Sequence, residues 1–260
     1  MNKDLEPLIK KLQEVSQIMK LRWPGRNTSL ELRKTRKPDG SLVTEIDLES
    51  NRILTDFFAT NYPGHHILSE EALDPEGSRR AEQGWIIDPL DGTEIYAKGE
   101  RGYAIFCGER KQDQIVSGVA IYPELDILLE VTKSNGGTIN GLQLQSKAKF
   151  NEESSCFFVE DIKTPKVLNI EKTPSFEVRS MAFKAFCLGE IDGVVMRHPN
   201  FFVWDFAPWI LACEVAGGVI RDQLVQFIKF IGERLNIDTL IIATTKSYSY
   251  LSERIASQLK

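Results

Sequence analysis

The stretch Trp85-Ile86-Ile87-Asp88-Pro89-Leu90-Asp91-Gly92-Thr93 is a short apolar strand that runs into two carboxylates, a proline, a glycine and a hydroxyl. Pro89 fixes its own φ and Gly92 permits close backbone approach, which predicts a tight turn presenting Asp88 and Asp91. Two hard oxygen ligands beside free backbone N–H groups make a place where a divalent cation and a phosphate can meet. Asp-Pro and Asp-Gly pairs are also ordinary turn formers, so the weight falls on what the rest of the chain supplies.

That chain has 260 residues, 42% hydrophobic and 27% charged, a composition able to bury a sizeable core. A net charge of −5 without a dense basic block disfavours a nucleic-acid polymer as partner. Arg33, Lys34, Arg36 and Lys37 form a local basic cluster, which suits either a solvated loop or attraction of an anionic substrate. The four cysteines are scattered without zinc or redox spacing and read as buried free thiols. The charged N-terminus lacks a signal-peptide core, and no window reaches the length of a membrane span. A cytoplasmic protein with no membrane partner is expected.

Helical spacing of Leu5, Leu8, Ile9, Leu12, Val15, Ile18 and Met19 predicts an amphipathic helix over 3–21. Lys37-Pro38-Asp39-Gly40 reads as a hairpin or loop tip. A second helix is predicted from Thr44 to about Thr60, with capping-box spacing that puts Asp47 in its first turn. Ile67-Leu68 reads as a short strand delivering Ser69-Glu70-Glu71, and 103–108, 115–122 and 127–132 as an antiparallel meander. No period emerges over 142–178. Beyond it, 181–188 reads as helix, 193–196 as a buried strand, and FAPWILACEVAGGVI as a buried helix opened by Trp204-Asp205 and ended at Gly217-Gly218. Pro208 is expected in that helix's first turn. Leu240–Ala243 suits a central strand, followed by a helix from about Tyr248 to Leu259.

Five acids therefore stand where elements begin or end: Asp47, Glu70, Asp88, Asp91 and Asp205. Acids so placed can point into one cleft while neighbouring apolar residues anchor the frame. No histidine accompanies them at useful spacing, and all-oxygen ligation favours Mg2+ over zinc. Asp47 and Asp205 suit helix capping as well as ligation, and Glu70-Glu71 also suits a solvated acidic turn.

Val43-Thr44…Asp47, Ser69-Glu70-Glu71, Asp88-Pro89-Leu90-Asp91-Gly92-Thr93, and Trp204-Asp205 followed by Ala216-Gly217-Gly218 together resemble the inositol monophosphatase family, lithium-sensitive Mg2+-dependent phosphatases. The resemblance covers about 40–135 and 190–220, with weaker support over 239–257. It implies an α+β fold, a layered αβαβα sandwich with mixed, largely antiparallel sheets. Two halves are expected, 1–145 carrying most ligands and 146–260 carrying Asp205 and the substrate loop, integrated into one catalytic unit. Glu70, Asp88 and the Leu90 carbonyl would hold one Mg2+, and Asp88, Asp91 and Asp205 a second, with Glu70 helping to place a third through water. Asp47 and Thr93 would polarise the attacking water, and the N–H groups of Gly92 and Thr93 would hold the phosphate. A homodimer is implied by the same resemblance.

The implied reaction is hydrolysis of a small-molecule phosphate monoester by metal-activated water. A haloacid dehalogenase-type route is disfavoured, because the two aspartates are three apart where its Asp-x-Asp-Gly-Thr motif needs them two apart. A non-catalytic phosphometabolite-binding protein is the alternative of another class. His198 stands where inositol phosphatases commonly carry a glutamate, and Ala182-Phe183 replaces the usual Gly-Ser or Gly-Thr of the substrate loop. Ser41 stands where an acid is common, and Ile46 where a small or hydroxyl residue is common. Lys184, Arg197 and His198 would suit a second anionic group, as in a 3′(2′),5′-bisphosphate nucleotide or fructose 1,6-bisphosphate, or else pair with Glu190 or Asp192.

Overall fold

Two alternating faces organise the molecule. The computed structural model describes residues 3–26, 29, 31–161, 176, 178–197, 201–222, 226, 228–230, 232–235 and 237–258. The first layer is α1 (Glu6–Leu21) beside α2 (Glu45–Asn61), close to the bounds their apolar spacing predicts. Between them, β1 (Lys34–Arg36) and β2 (Leu42–Thr44) form an antiparallel hairpin whose tip is turned by Gly40 at φ +88°.

The second layer is a seven-stranded sheet in chain order: β3 (His66–Ser69), β4 (Gln83–Asp91), β5 (Ala104–Lys111), β6 (Gln114–Tyr122), β7 (Ile127–Thr132), β8 (Gly136–Ile139) and β9 (Leu142–Gln143). β3 and β4 are parallel, joined through α3 (Pro75–Arg80), and the remaining pairs are antiparallel. The meander predicted over 103–132 is present, with β7 at its predicted bounds and β5 running on to Lys111. Trp85, Ile87, Val119 and Ile121 pack on α1 and α2, while Ile86, Ala120 and Tyr122 face the opposite way. That is the period-two pattern of a sheet buried on both sides.

The third layer holds α5 (Met181–Cys187) and α6 (Val203–Val215). Beyond it lies a four-stranded sheet in the order β10 (Phe157–Asp161), β11 (Gly193–Arg197), β15 (Thr239–Ala243), β13 (Val219–Asp222). β12 (Phe201–Phe202) and β14 (Arg234–Leu235) form a small ribbon beside α6. Leu240 and Ile242 of β15 pack inward on the helices. Ile241 and Ala243 pack outward with Leu251 of α7 (Thr245–Gln258), the fifth layer. The αβαβα sandwich expected from the resemblance is the observed architecture. Among the described residues, no helix is long and apolar enough to cross a membrane.

Two local readings need correction. Residues 88–91 do not turn; β4 continues through them as a bulged strand, Asp88 opposite Phe106 and Asp91 opposite Ala104. Three steps on β4 thus match two on β5. The missing N–H of Pro89 is tolerated there because the bulge interrupts the ladder. Pro208 is not in the first turn of α6, because the helix begins at Val203 and places Pro208 sixth. Its ring takes away the N–H that would have bonded the Trp204 carbonyl. The end of α6 is as expected: Gly217 sits at φ +95°, and the Gly218 N–H reaches back to the Cys213 carbonyl at 2.8 Å.

What brings α6 close to the large sheet is a pair of glycines, Gly108 and Gly118, opposite each other on β5 and β6. A Cβ on Gly118 would lie 2.9 Å from the Pro208 Cα, and one on Gly108 2.8 Å from the Ala207 Cβ. The glycines form a shallow trough for the helix, and the buried Trp209 indole then donates to the Tyr122 hydroxyl at 3.0 Å. Gly118→Ala should therefore overpack this seam and cost about 1–3 kcal/mol, read as a lower urea midpoint at unchanged m-value. An unchanged midpoint would show that the seam yields without strain.

Candidate active site

Each candidate side chain is delivered by the end of an element. β3 and β4 run parallel, so their C-terminal ends emerge side by side, carrying Glu70 and Asp88. The Glu70 N–H donates to the Ile87 carbonyl at 3.1 Å, and the Ser69 hydroxyl donates to Asn51 of α2 at 2.7 Å, which pins the strand end. The β4 bulge re-aims the chain so that Asp91 shares a side with Asp88. Asp205 comes from the first turn of α6, the helix seated in the glycine trough. One carboxylate oxygen each from Asp88, Asp91 and Asp205 lies within 4.8 Å of the others. Asp88 is fully buried, and its Oδ1 accepts the Leu90 N–H at 3.1 Å.

Asp47 is both cap and site residue. Its Oδ2 accepts from the Thr44 N–H at 2.7 Å and the Thr44 hydroxyl at 2.5 Å, while the Thr44 hydroxyl oxygen accepts the Ile46 N–H at 3.2 Å. The predicted capping box is therefore made. Its other oxygen, Oδ1, accepts from the Thr93 hydroxyl at 2.8 Å, across 46 residues of sequence. The Leu90 carbonyl oxygen lies 3.2 Å from the same hydroxyl. Gly92, at φ +79°, caps the short helix α4 (Thr93–Ala97), a backbone state that side-chain-bearing residues rarely adopt. The first N–H groups of such a helix have no intrahelical acceptor.

Burial raises the pKa of every acid here. Asp88 is pushed well up by burial and then by the negative charges of Glu70, Asp91 and Asp205. Asp205 is raised by burial and Asp91. Asp91 is pushed up to about 7 by burial and Glu70, with Arg179 opposing. Burial also raises Glu70 and Asp47, opposed by Lys37 and by the threonine hydrogen bonds respectively. Buried like charges at this spacing call for a cation. The donor set consists of hard oxygens only and fits Mg2+. One internal cation already answers part of the demand: Lys37 Nζ reaches Glu70 at 3.1 Å and Glu71 at 2.6 Å.

The structure thus brings together Asp47, Glu70, Asp88, Leu90, Asp91, Gly92, Thr93 and Asp205. It does not bring in Lys184, which pairs with Glu190 at 3.9 Å, or Arg197, which ends β11 opposite Thr239; neither lines the cavity beside the acids. His198 lies outside the described residues. Two contributors entered the sequence reading only as members of a segment, Arg179 in the substrate loop and Lys37 in the basic cluster. Arg179 faces Asp91 and Asp205 from the loop before α5 and pairs with Glu160 at 2.8 Å. Lys37 was visible only as one member of a basic cluster, and no local pattern shows that its hairpin folds back onto Glu70-Glu71.

A layered α+β frame with a carboxylate cluster between strand ends and a helix start suits a protein that binds hard divalent cations. The model of the Inositol monophosphatase family matches residues 2–260, and the chain belongs to that family, whose members are metal-dependent phosphatases. The "Fructose-1,6-bisphosphatase/inositol-1-monophosphatase" of Thermotoga maritima is 29% identical over 223 residues, covering 82% of each chain. The "Nus factor SuhB" of Escherichia coli is 25% identical over 201 residues, covering 72% of this chain and 74% of its own. A solved IMPase/NADP phosphatase complexed with Mg2+ and phosphate superposes with a TM-score of 0.77 at 16% identity, covering 97% of this chain and 95% of that one.

The raised pKa values carry a sign. Carboxyls that titrate near 7 when folded, as Asp91 and Glu71 do, but near 4 when unfolded, bind more protons in the native state. The metal-free protein should then lose stability as pH rises from about 4 to about 7 through these groups. A bound cation reverses that loss, so Mg2+ should raise Tm more at pH 8 than at pH 5.5, read by scanning calorimetry. Equal increments at both pH values would remove the carboxylates from the binding site.

Proposed function

We propose that this chain hydrolyses a small-molecule phosphate monoester with Mg2+, by direct attack of water on phosphorus. The observation that carries the reading is the convergence of Glu70, Asp88, Asp91 and Asp205 beside the Asp47–Thr93 pair. Glu70, Asp88 and the Leu90 carbonyl would hold one ion, and Asp88, Asp91 and Asp205 a second, with a third placed through Glu70. When bound, Mg2+ supplies Lewis acidity, lowering the pKa of water and neutralising charge on phosphoryl oxygens.

The chain's own residues do the rest. With its proton on the nearer acceptor, Asp47 at 2.8 Å rather than the Leu90 carbonyl at 3.2 Å, the Thr93 oxygen would be left to accept a hydrogen bond from the attacking water. Asp47 is the base behind it, made more basic than an exposed aspartate by its burial. The N–H groups of Gly92 and Thr93 would hold the phosphate. An aspartyl-phosphate route is not supported, because Pro89 stands two residues before Asp91, where that route needs its nucleophilic aspartate. The Mg2+- and phosphate-bearing structural relative supports the ion, and the bifunctional Thermotoga maritima relative supports a phosphorylated polyol or sugar among the substrates to test.

Phosphate release by the purified protein should require Mg2+ and stop on chelation. Asp88→Asn should lower kcat more than about a hundredfold while leaving Tm close to wild type or higher. Near-normal turnover in that variant would refute the shared-ligand assignment. Asp47→Asn should cost about a hundredfold or more in kcat, since it removes the base while leaving the proposed metal ligands in place; an unchanged kcat would remove Asp47 from the proton path. A protein that releases no phosphate from a broad ester panel would support a non-catalytic binding role instead.

A further inference from the structure

The acids end at one side of a cavity of about 390 Å³, and the remaining wall of that cavity has a different chemistry. Asp91, Gly92 and Asp205 form its polar end. Phe158, Phe176, Val178 and Phe183 also line the cavity. Phe158 is carried by β10, paired to Val194 of β11, so its position is set by the four-stranded sheet. Its ring meets Phe176 at 5.5 Å between centroids and 59° between planes, an edge-inclined pair of half-buried rings. Val178 is seated by close approach to Gly102, where a Cβ would lie 2.3 Å from Val178 Cγ2.

A polyol leaving group needs a hydrogen-bonding partner for each hydroxyl that it buries. Apart from the proposed metal ligands, the polar side chains lining this cavity among the described residues are Glu160, Arg179 and Ser180. Glu160 and Arg179 are engaged with each other at 2.8 Å. Ser180 is buried. The part of a hydroxylated ring that meets Phe158 and Phe176 would lose water without gaining a partner there. An apolar ring would meet the offset and edge-on contacts that aromatic side chains favour.

We propose that this cavity selects phosphate monoesters whose leaving alcohol carries an apolar aromatic ring, with Phe158 and Phe176 as specificity-determining residues. The inference rests on the phosphatase reading for its turnover consequence, but ring binding can be measured without turnover. The probes are benzylphosphonate and methylphosphonate, neither hydrolysable, titrated calorimetrically into the full-length protein with Mg2+. Benzylphosphonate should bind at least about tenfold more tightly, because only it can cover the phenylalanine wall. Phe158→Ala should cut that ratio about tenfold, with Tm reporting whether the variant is folded. Where the variant does not fold, the wild-type ratio alone decides.

In turnover, benzyl phosphate should exceed inositol 1-phosphate in kcat/KM by about tenfold or more. The inositol hydroxyl, flanked by electron-withdrawing oxygens, is the more acidic leaving group, so leaving-group acidity works against the expected preference rather than for it. Equal affinity for the two phosphonates, or a higher kcat/KM for inositol 1-phosphate, would overturn the inference while leaving the phosphatase reading intact. No phosphate released from any ester, with benzylphosphonate still favoured, would overturn the phosphatase reading and leave ring selection standing.

Discussion

Mutual repulsion among buried carboxylates is the constraint on which the rest of this molecule depends. Glu70, Asp88, Asp91 and Asp205 would separate, or take up protons, if the backbone let them. They are held by elements whose positions are decided elsewhere. Two parallel strands end together, a bulge turns a third acid inward, and a helix supplies the fourth. The apolar cores on both faces of the seven-stranded sheet supply the free energy that opposes this repulsion. The acids are destabilising in isolation and useful because they cannot relax.

One tight tolerance in that frame lies where α6 meets the large sheet. Asp205 reaches the sheet because α6 lies against β5 and β6 where Gly108 and Gly118 offer no side chains. A side chain on either strand would lift the helix and carry Asp205 away from Asp88. The same helix contains Pro208, whose ring lies on the Gly118 side of the seam. Two glycines and a proline, unremarkable in a composition count, thus decide whether a three-carboxylate cluster exists at all.

Much of this was legible in the sequence. Period-two runs identified the meander, and apolar spacing identified α1 and α2. The Thr44–Asp47 spacing carried the capping box, and the family motifs carried the five-layer order. Motif positions also named the residues that converge. What could not be read were contacts made by residues far apart in sequence. Lys37 meeting Glu70-Glu71 depends on how a hairpin folds back, and α4 is too short to show a period. The bulge at Asp88–Asp91 was misread as a turn because proline and glycine signal both. The pairing partner distinguishes them, and that partner, β5, lies more than a dozen residues downstream.

The two ends of the cavity come from different parts of the chain, and that division has a consequence for how the site can vary. The proposed metal ligands sit on β3, β4 and α6, elements tied into both large cores. The wall facing them comes from β10 at the edge of the smaller sheet, from the loop before α5, and from α5 itself. An exchange on that wall alters which leaving group is dehydrated without moving a carboxylate. An exchange on the metal side alters the chemistry for every substrate alike. Phe183 lines the cavity and is not one of the proposed ligands. On the proposed reading, the family motifs would carry the reaction and the aromatic wall the choice of leaving group.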